Sequence, residues 1–203
     1  MRNFSFEKNS STFFDKLIAK LRYKKVFNLL KKHWINLNWK TICDIGCWYN
    51  ANLLNYLKEN YSDLSLYWVD LDINKKLSYI NFVKANIEKD ILNIKNESID
   101  ILFTLAVIEH LSNPKLYLLE IKRILKPWWI LVMTTPSIYW KPILEFLAYS
   151  WIWTKEEILD HKIYYNKNSL KYLVLKYFED INIKYFQFWL NIILLAKKTN
   201  YDK

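Results

Sequence analysis

Glycine is almost absent from this chain: Gly46 is the only one in 203 residues, where ordinary usage of about 7% leads one to expect roughly 14. Cysteine is scarce as well, with Cys43 and Cys47 alone. Four residues apart, with no second pair and three histidines in the whole chain, they make no zinc site and no disulfide framework, and no metal is expected. No apolar run is long enough to span a bilayer. The N-terminus lacks an apolar stretch followed by a small-residue cleavage site, so the expected location is the cytoplasm.

What the chain has in excess is tryptophan, ten of them, and lysine. The formal charge is +10, and 27 of the 30 basic residues are lysine, Arg2, Arg22 and Arg123 being the others. Such a charge invites a polyanionic partner. The abundance of Lys, Asn, Ile, Tyr and Phe also fits an A/T-rich gene, so a nucleic-acid partner is not the favoured reading.

The tryptophans stand where glycine belongs. Trp34 follows Leu29-Leu30-Lys31-Lys32-His33 at a helix end, the place of a left-handed residue. Trp39 follows Asn38 in a turn before a strand, where Asn-Gly is usual. Lys126-Pro127-Trp128-Trp129 joins a helix to a strand at a site that wants positive φ. Trp189 separates two apolar runs at an apparent hairpin. A Cβ is penalised in that conformation, and core tryptophans follow the period of an apolar face instead. The expectation is that many are UGA codons written as Trp where the source organism inserts Gly. A genuinely tryptophan-rich protein is the competing reading.

The pattern of elements alternates. Ser11–His33 has apolar residues at helical spacing with lysines between them. Such a helix either packs over a sheet or lids a site, which is favoured, or lies on a membrane surface. Strands are expected at 41–44, 66–70, 79–83, 99–105 and 130–135. Helices are expected at 50–60, 113–125 and 169–176, with a short helical piece at 74–78. Residues 138–165 break the rhythm as an insertion over a site would. Two last runs, 181–188 and 191–197, are close enough to pair antiparallel. Strands alternating with helices predict an α/β fold with a parallel sheet covered on both faces. With no internal repeat or linker, residues 1–203 read as one domain, an N-terminal helical extension at 1–36 and a core at 37–198.

In such a sheet ligands bind beyond the carboxyl ends of the strands. The first strand runs into Asp44-Ile45-Gly46-Cys47-Trp48-Tyr49-Asn50, a turn where a ligand approaches bare backbone. The second ends in Val69-Asp70-Leu71-Asp72, and an acid there can accept both ribose hydroxyls of a nucleoside. With Asn86-Ile87, Ile99–Leu111, Leu125–Trp129 and Thr134-Thr135-Pro136-Ser137, these segments resemble the successive motifs of class I S-adenosylmethionine-dependent methyltransferases. The likeness covers roughly 35–198 and is nearest to the small-molecule and quinone-type group.

The resemblance implies a Rossmann-like, seven-stranded, mostly parallel sheet in the order 3-2-1-4-5-7-6, and S-adenosyl-L-methionine as cofactor. It places Asp44, Gly46, Cys47 and Trp48 around the methionine part and Asp70, with Leu71, at the ribose. Asn86 and Ile87 fall beside the adenine, and Leu105 beside the amino-acid portion. Trp48 taken literally sets an indole where the cofactor lies, and Asn50 stands where some relatives carry a third glycine.

Leu105-Ala106-Val107-Ile108-Glu109-His110 lacks the Asn/Asp-Pro-Pro-aromatic sequence of enzymes that methylate base amino groups. His110 is the candidate general base, having a pKa near neutrality at the carboxyl edge of the sheet. Its alternative is that Glu109 or His110 only holds the sheet edge. Asp160-His161 resembles a pair found in the variable insertion of relatives, and Tyr139, Tyr149, Tyr164 and Tyr165 are candidates for an apolar acceptor pocket. The expected activity is O- or C-methylation of a small-molecule or lipid-like acceptor. A non-catalytic methyltransferase-like module and an RNA methyltransferase are the alternatives, and the oligomeric state is not legible.

Overall fold

The computed structural model describes residues 13–46, 51–71, 77–142 and 161–199. Its elements are α1 (Phe13–Lys32), β1 (Thr41–Ile45), α2 (Asn52–Asn60), β2 (Ser65–Asp70), β3 (Asn81–Lys84) and β4 (Ile99–Leu105). After a 3₁₀ turn at Ile108–His110 come α3 (Pro114–Ile124), β5 (Leu125–Pro136), α4 (Lys167–Val174), β6 (Phe178–Phe186) and β7 (Asn191–Lys198). The seven strands form one sheet in the order β3-β2-β1-β4-β5-β7-β6. The first five run parallel, and β7 lies antiparallel to both β5 and β6. This is the doubly wound, Rossmann-like order expected from the motifs.

Burial follows the strand period. Ile42, Leu66, Trp68, Ile101, Phe103, Val132 and Leu195 share one face with Val26, Leu29 and Leu30 of α1 and Leu53, Leu54 and Leu57 of α2. Cys43, Ile45, Val69, Leu102, Leu131, Met133 and Leu194 point the other way, against Tyr117, Leu118 and Ile121 of α3 and Leu170 and Val174 of α4. β4, at the centre, is buried at every residue, as parallel strands covered on both faces require. Asn113 caps α3 ahead of Pro114, and Asn166 with Ser169 forms a reciprocal capping box on α4. α1 thus packs over the sheet, as favoured.

β5 begins at Leu125 rather than 130. Its register against β4 jumps from Ile99↔Leu125 to Ile101↔Ile130, so residues 126–129 bulge out around Pro127, which has no N–H to give the ladder. Asp100 stabilises this end of the sheet. Its carboxylate accepts from Lys126 Nζ at 2.7 Å and from the Thr41 N–H at 2.8 Å. The expected helical piece at 74–78 lies largely outside the described residues, as do residues 1–12, Cys47, Trp48 and 143–160.

Trp34, Trp39, Trp128 and Trp189 have φ of 57°, 63°, 68° and 68°, the left-handed region that glycine enters without strain. Their side chains are 94%, 73%, 56% and 68% exposed, so none is held there by core packing. Gln187 and Phe188 precede Trp189 with φ of 51° and 55°, so three successive residues of the β6–β7 turn are left-handed. Trp68 is buried in β2, and its indole N–H has no hydrogen-bond partner among the described residues.

Candidate active site

The carboxyl ends of β1, β2 and β4 meet at one edge. Register pairs Ile45 with Val69 and with Thr104, so Gly46, Asp70 and Leu105 each follow at the same level. Asp44 is opposite Trp68, which puts Asp44 and Asp70 on the same face of the sheet. Gly46 has φ of 73° and donates its N–H to the Val69 carbonyl at 2.9 Å. A Cβ on it would come within 2.5 Å of Val107 Cγ2, so both conformation and space demand glycine. Asp44 is 3% exposed, whereas Asp70 is half-buried, with one oxygen accepting the Leu71 N–H at 2.7 Å. Asn86 opens a turn beyond β3: its N–H donates to Asp90 at 2.7 Å, its side-chain oxygen accepts the Glu88 N–H, and Ile87 packs on the core. This cradle of bare backbone ringed by an acid fits a nucleoside-bearing ligand.

The second part of the site lies past β4. Ala106 takes a φ of 59°, and the chain turns at once into Ile108-Glu109-His110. Glu109 is wholly buried and His110 partly exposed. Thr135 of β5 donates its hydroxyl to Glu109 Oε2 at 3.0 Å, while Oε1 lies 4.0 Å from His110 Nε2. The Glu109 main-chain carbonyl accepts from Lys162 N–H at 2.8 Å and Ile163 N–H at 3.1 Å. Those bonds bring in a segment far along the chain. His161 consequently stacks on His110, ring centroids 4.8 Å apart and planes 28° from parallel, and its Nδ1 lies 3.2 Å from Tyr164 Oη.

Arg22 and Tyr165 complete the surroundings. The Arg22 Nε and the Tyr165 hydroxyl are buried without a hydrogen-bond partner among the described residues. Burial lowers the guanidinium's pKa and the nearby Glu109 charge raises it. Tyr165 is pushed up to about 12 by burial and by the same carboxylate. Of the aromatic candidates, Tyr164 and Tyr165 reach this cluster, while Tyr139 packs edge-on against Tyr185, exposed. Sequence reading singled out His110 and His161 separately and gave Arg22 no role. No spacing signal links three positions brought together by α1 and by main-chain bonds.

Residues 43–133 match the family model described as a methyltransferase domain. Residues 43–133 thus carry the likeness to a methyltransferase domain, and the seven-stranded sheet has the fold of such enzymes. The chain is 32% identical over 109 residues to the tRNA U34 carboxymethyltransferase of Campylobacter curvus, covering 50% of this chain and 36% of that one. It is 26% identical over 151 residues to the enzyme of the same name from Nautilia profundicola, covering 62% and 50%. The chain therefore spans about a third to a half of the length of these curated relatives. Among solved structures, a SAM-dependent methyltransferase from Archaeoglobus fulgidus shares the fold with a TM-score of 0.62 at 16% identity, covering 92% of this chain and all of that one. Among the described residues no helix is long and apolar enough to cross a membrane.

Proposed function

We propose that this protein methylates an oxygen or carbon atom of a small-molecule or lipid-like acceptor, with His110 as the base. The observation that supports this most is the pairing of His110 with the buried Glu109 in the turn just past Leu105, the β4 residue level with Gly46 and Asp70. The cofactor supplies a methyl group on a positive sulfur, already activated for in-line displacement, so the protein's work is alignment and removal of a proton. Gly46 with Cys47 and position 48 holds the methionine part against bare backbone, and Asp44 lies beneath. Asp70 grips the ribose beside Leu71, and Asn86 and Ile87 receive the adenine. Leu105 borders the amino-acid portion.

As the acceptor atom bonds to the methyl carbon, its proton passes to His110. The Glu109 carboxylate, 4.0 Å away, stabilises the imidazolium that forms. Thr135 and the Lys162 and Ile163 main chain fix Glu109, so the pair is positioned before the acceptor arrives. A methylene or hydroxyl acceptor gains most from such a base.

RNA as the acceptor is a second reading, favoured by the tRNA U34 named in both curated relatives and by the +10 charge. Calorimetry with S-adenosylmethionine on the chain as written and on Trp48→Gly tests the cradle, binding being expected with glycine at 48. Transfer of labelled methyl is then followed into metabolite extract, lipid extract and total tRNA. His110→Ala is expected to slow turnover about 10²–10⁴-fold with cofactor affinity unchanged. Label in tRNA alone, or full activity in His110→Ala, overturns this reading.

A further inference from the structure

We infer that Glu109, His110 and His161 form a divalent transition-metal site beside the methyl-transfer position. One ligand atom from each, a carboxylate oxygen and two imidazole nitrogens, falls within 4.8 Å of the others. Two imidazoles and one carboxylate are the donors that Zn²⁺, Mn²⁺, Fe²⁺ or Co²⁺ prefers, whereas Mg²⁺ and Ca²⁺ take oxygen.

The surroundings have the form of a metal site's outer shell. A ligating histidine is held by a partner on its other ring nitrogen, and Tyr164 Oη lies 3.2 Å from His161 Nδ1, leaving Nε2 as the ligand. A ligating carboxylate is held on its outer oxygen, and Thr135 donates to Glu109 Oε2 while Oε1 is the atom facing His110. The segment bearing His161 is tied to Glu109 by main chain, through the Glu109 carbonyl, and Lys162 anchors it further to Glu88 at 3.2 Å and to Ser112 at 2.7 Å. Coordination bonds near 2 Å require the three atoms to close by about 1 Å from their present separation.

Two buried donors beside the cluster, Arg22 Nε and the Tyr165 hydroxyl, call for an oxygen-bearing guest. With three protein ligands the ion keeps open positions, and an acceptor oxygen bound there would lie beside both. The ion's charge would favour the ionised form of a bound hydroxyl, so the acceptor class is an enolisable or hydroxyl-bearing compound that presents oxygen to a metal. This rests on the proposed methyl transfer at this site with one change: a metal-bound His110 has no lone pair left for a proton, so with the ion in place activation of the acceptor passes from His110 to the metal.

The test is titration of the full chain carrying Trp48→Gly with Co²⁺ alone, followed by visible absorption and by calorimetry, and repeated with Zn²⁺ and Mn²⁺. Binding of one equivalent is expected, with cobalt bands characteristic of nitrogen and oxygen ligands. His161→Ala, at a partly exposed position, is expected to abolish it while leaving the thermal melt and S-adenosylmethionine affinity in place. Tyr164→Phe is expected to weaken binding about 10-fold or more. Absence of binding at millimolar metal, a thiolate charge-transfer band pointing to Cys43 or Cys47, or binding undiminished in His161→Ala overturns the inference. Loss of cofactor affinity with metal binding intact would instead count against the methyltransferase reading, so the two fail separately.

Discussion

Replacing Trp34, Trp39, Trp128 and Trp189 together by glycine should stabilise this protein. Each holds φ between 57° and 68°, where a Cβ costs about 1–2 kcal/mol per residue. All four side chains are at least half exposed, so little burial is lost with the rings. Against the relief stands the greater freedom of glycine in the unfolded chain, about 0.4–1 kcal/mol per position. At mid-range, about 1.5 less about 0.7 kcal/mol per position, the net gain over four positions is roughly 3 kcal/mol. For a chain of this size each kcal/mol moves Tm by about 2–4 °C, which puts the shift at roughly 6–12 °C. Thermal unfolding followed by far-UV circular dichroism measures it. The decisive control is alanine at the same four positions, which removes the ring but keeps the Cβ. Alanine should give little of the gain; equal gains for the two sets would mean that the rings, not the backbone conformation, are responsible. Peptide mass spectrometry of the protein from its own source should find glycine at these positions. Tryptophan at 48, 128 and 129 there would end the recoding argument.

Gly46→Ala should abolish cofactor binding in calorimetry, because its Cβ would meet Val107 at 2.5 Å and the cradle must shift; undiminished affinity would show that the ligand does not approach this backbone. Asp100→Asn should cost about 1–3 kcal/mol in urea unfolding, since the buried carboxylate accepts from both Lys126 and the Thr41 N–H. Glu88 titrates below the ordinary carboxylate range: burial raises its pKa, but the Ser112 N–H and Lys162 outweigh that. A depressed folded value means that its stabilisation is present above the unfolded pKa and is lost as pH falls through the folded one. Hydrogen-exchange protection factors at Lys162 and Ile163, corrected for the intrinsic pH dependence of amide exchange, should accordingly fall on acidification through that range, and Glu88→Gln should remove the dependence.

The order of elements was legible because each carries its own period. β4 reads as a largely apolar run from 99 to 105 around Asp100 and Thr104, and α3 as a capped amphipathic stretch behind Asn113-Pro114. The cradle was legible too, since Gly46 and Asp70 belong to successive strand–loop units and parallel pairing sets them side by side whatever else happens. Even the misplaced tryptophans could be read, because turns sit at fixed offsets from the strands they join. The bulge at 126–129 was not, since strand register is decided between chains and not along one.

Local sequence therefore determined the layered α/β architecture and the edge at which a nucleoside would bind, both being consequences of periodicity and of parallel pairing. Only tertiary structure brought His161, Arg22 and Tyr165 to Glu109 and His110. Main-chain bonds from residues 162 and 163 to the Glu109 carbonyl, and the packing of α1 across the sheet, are contacts between distant segments. No spacing rule along the chain encodes them, because what fixes such distances is the closure of a core and not the rise of a helix or strand.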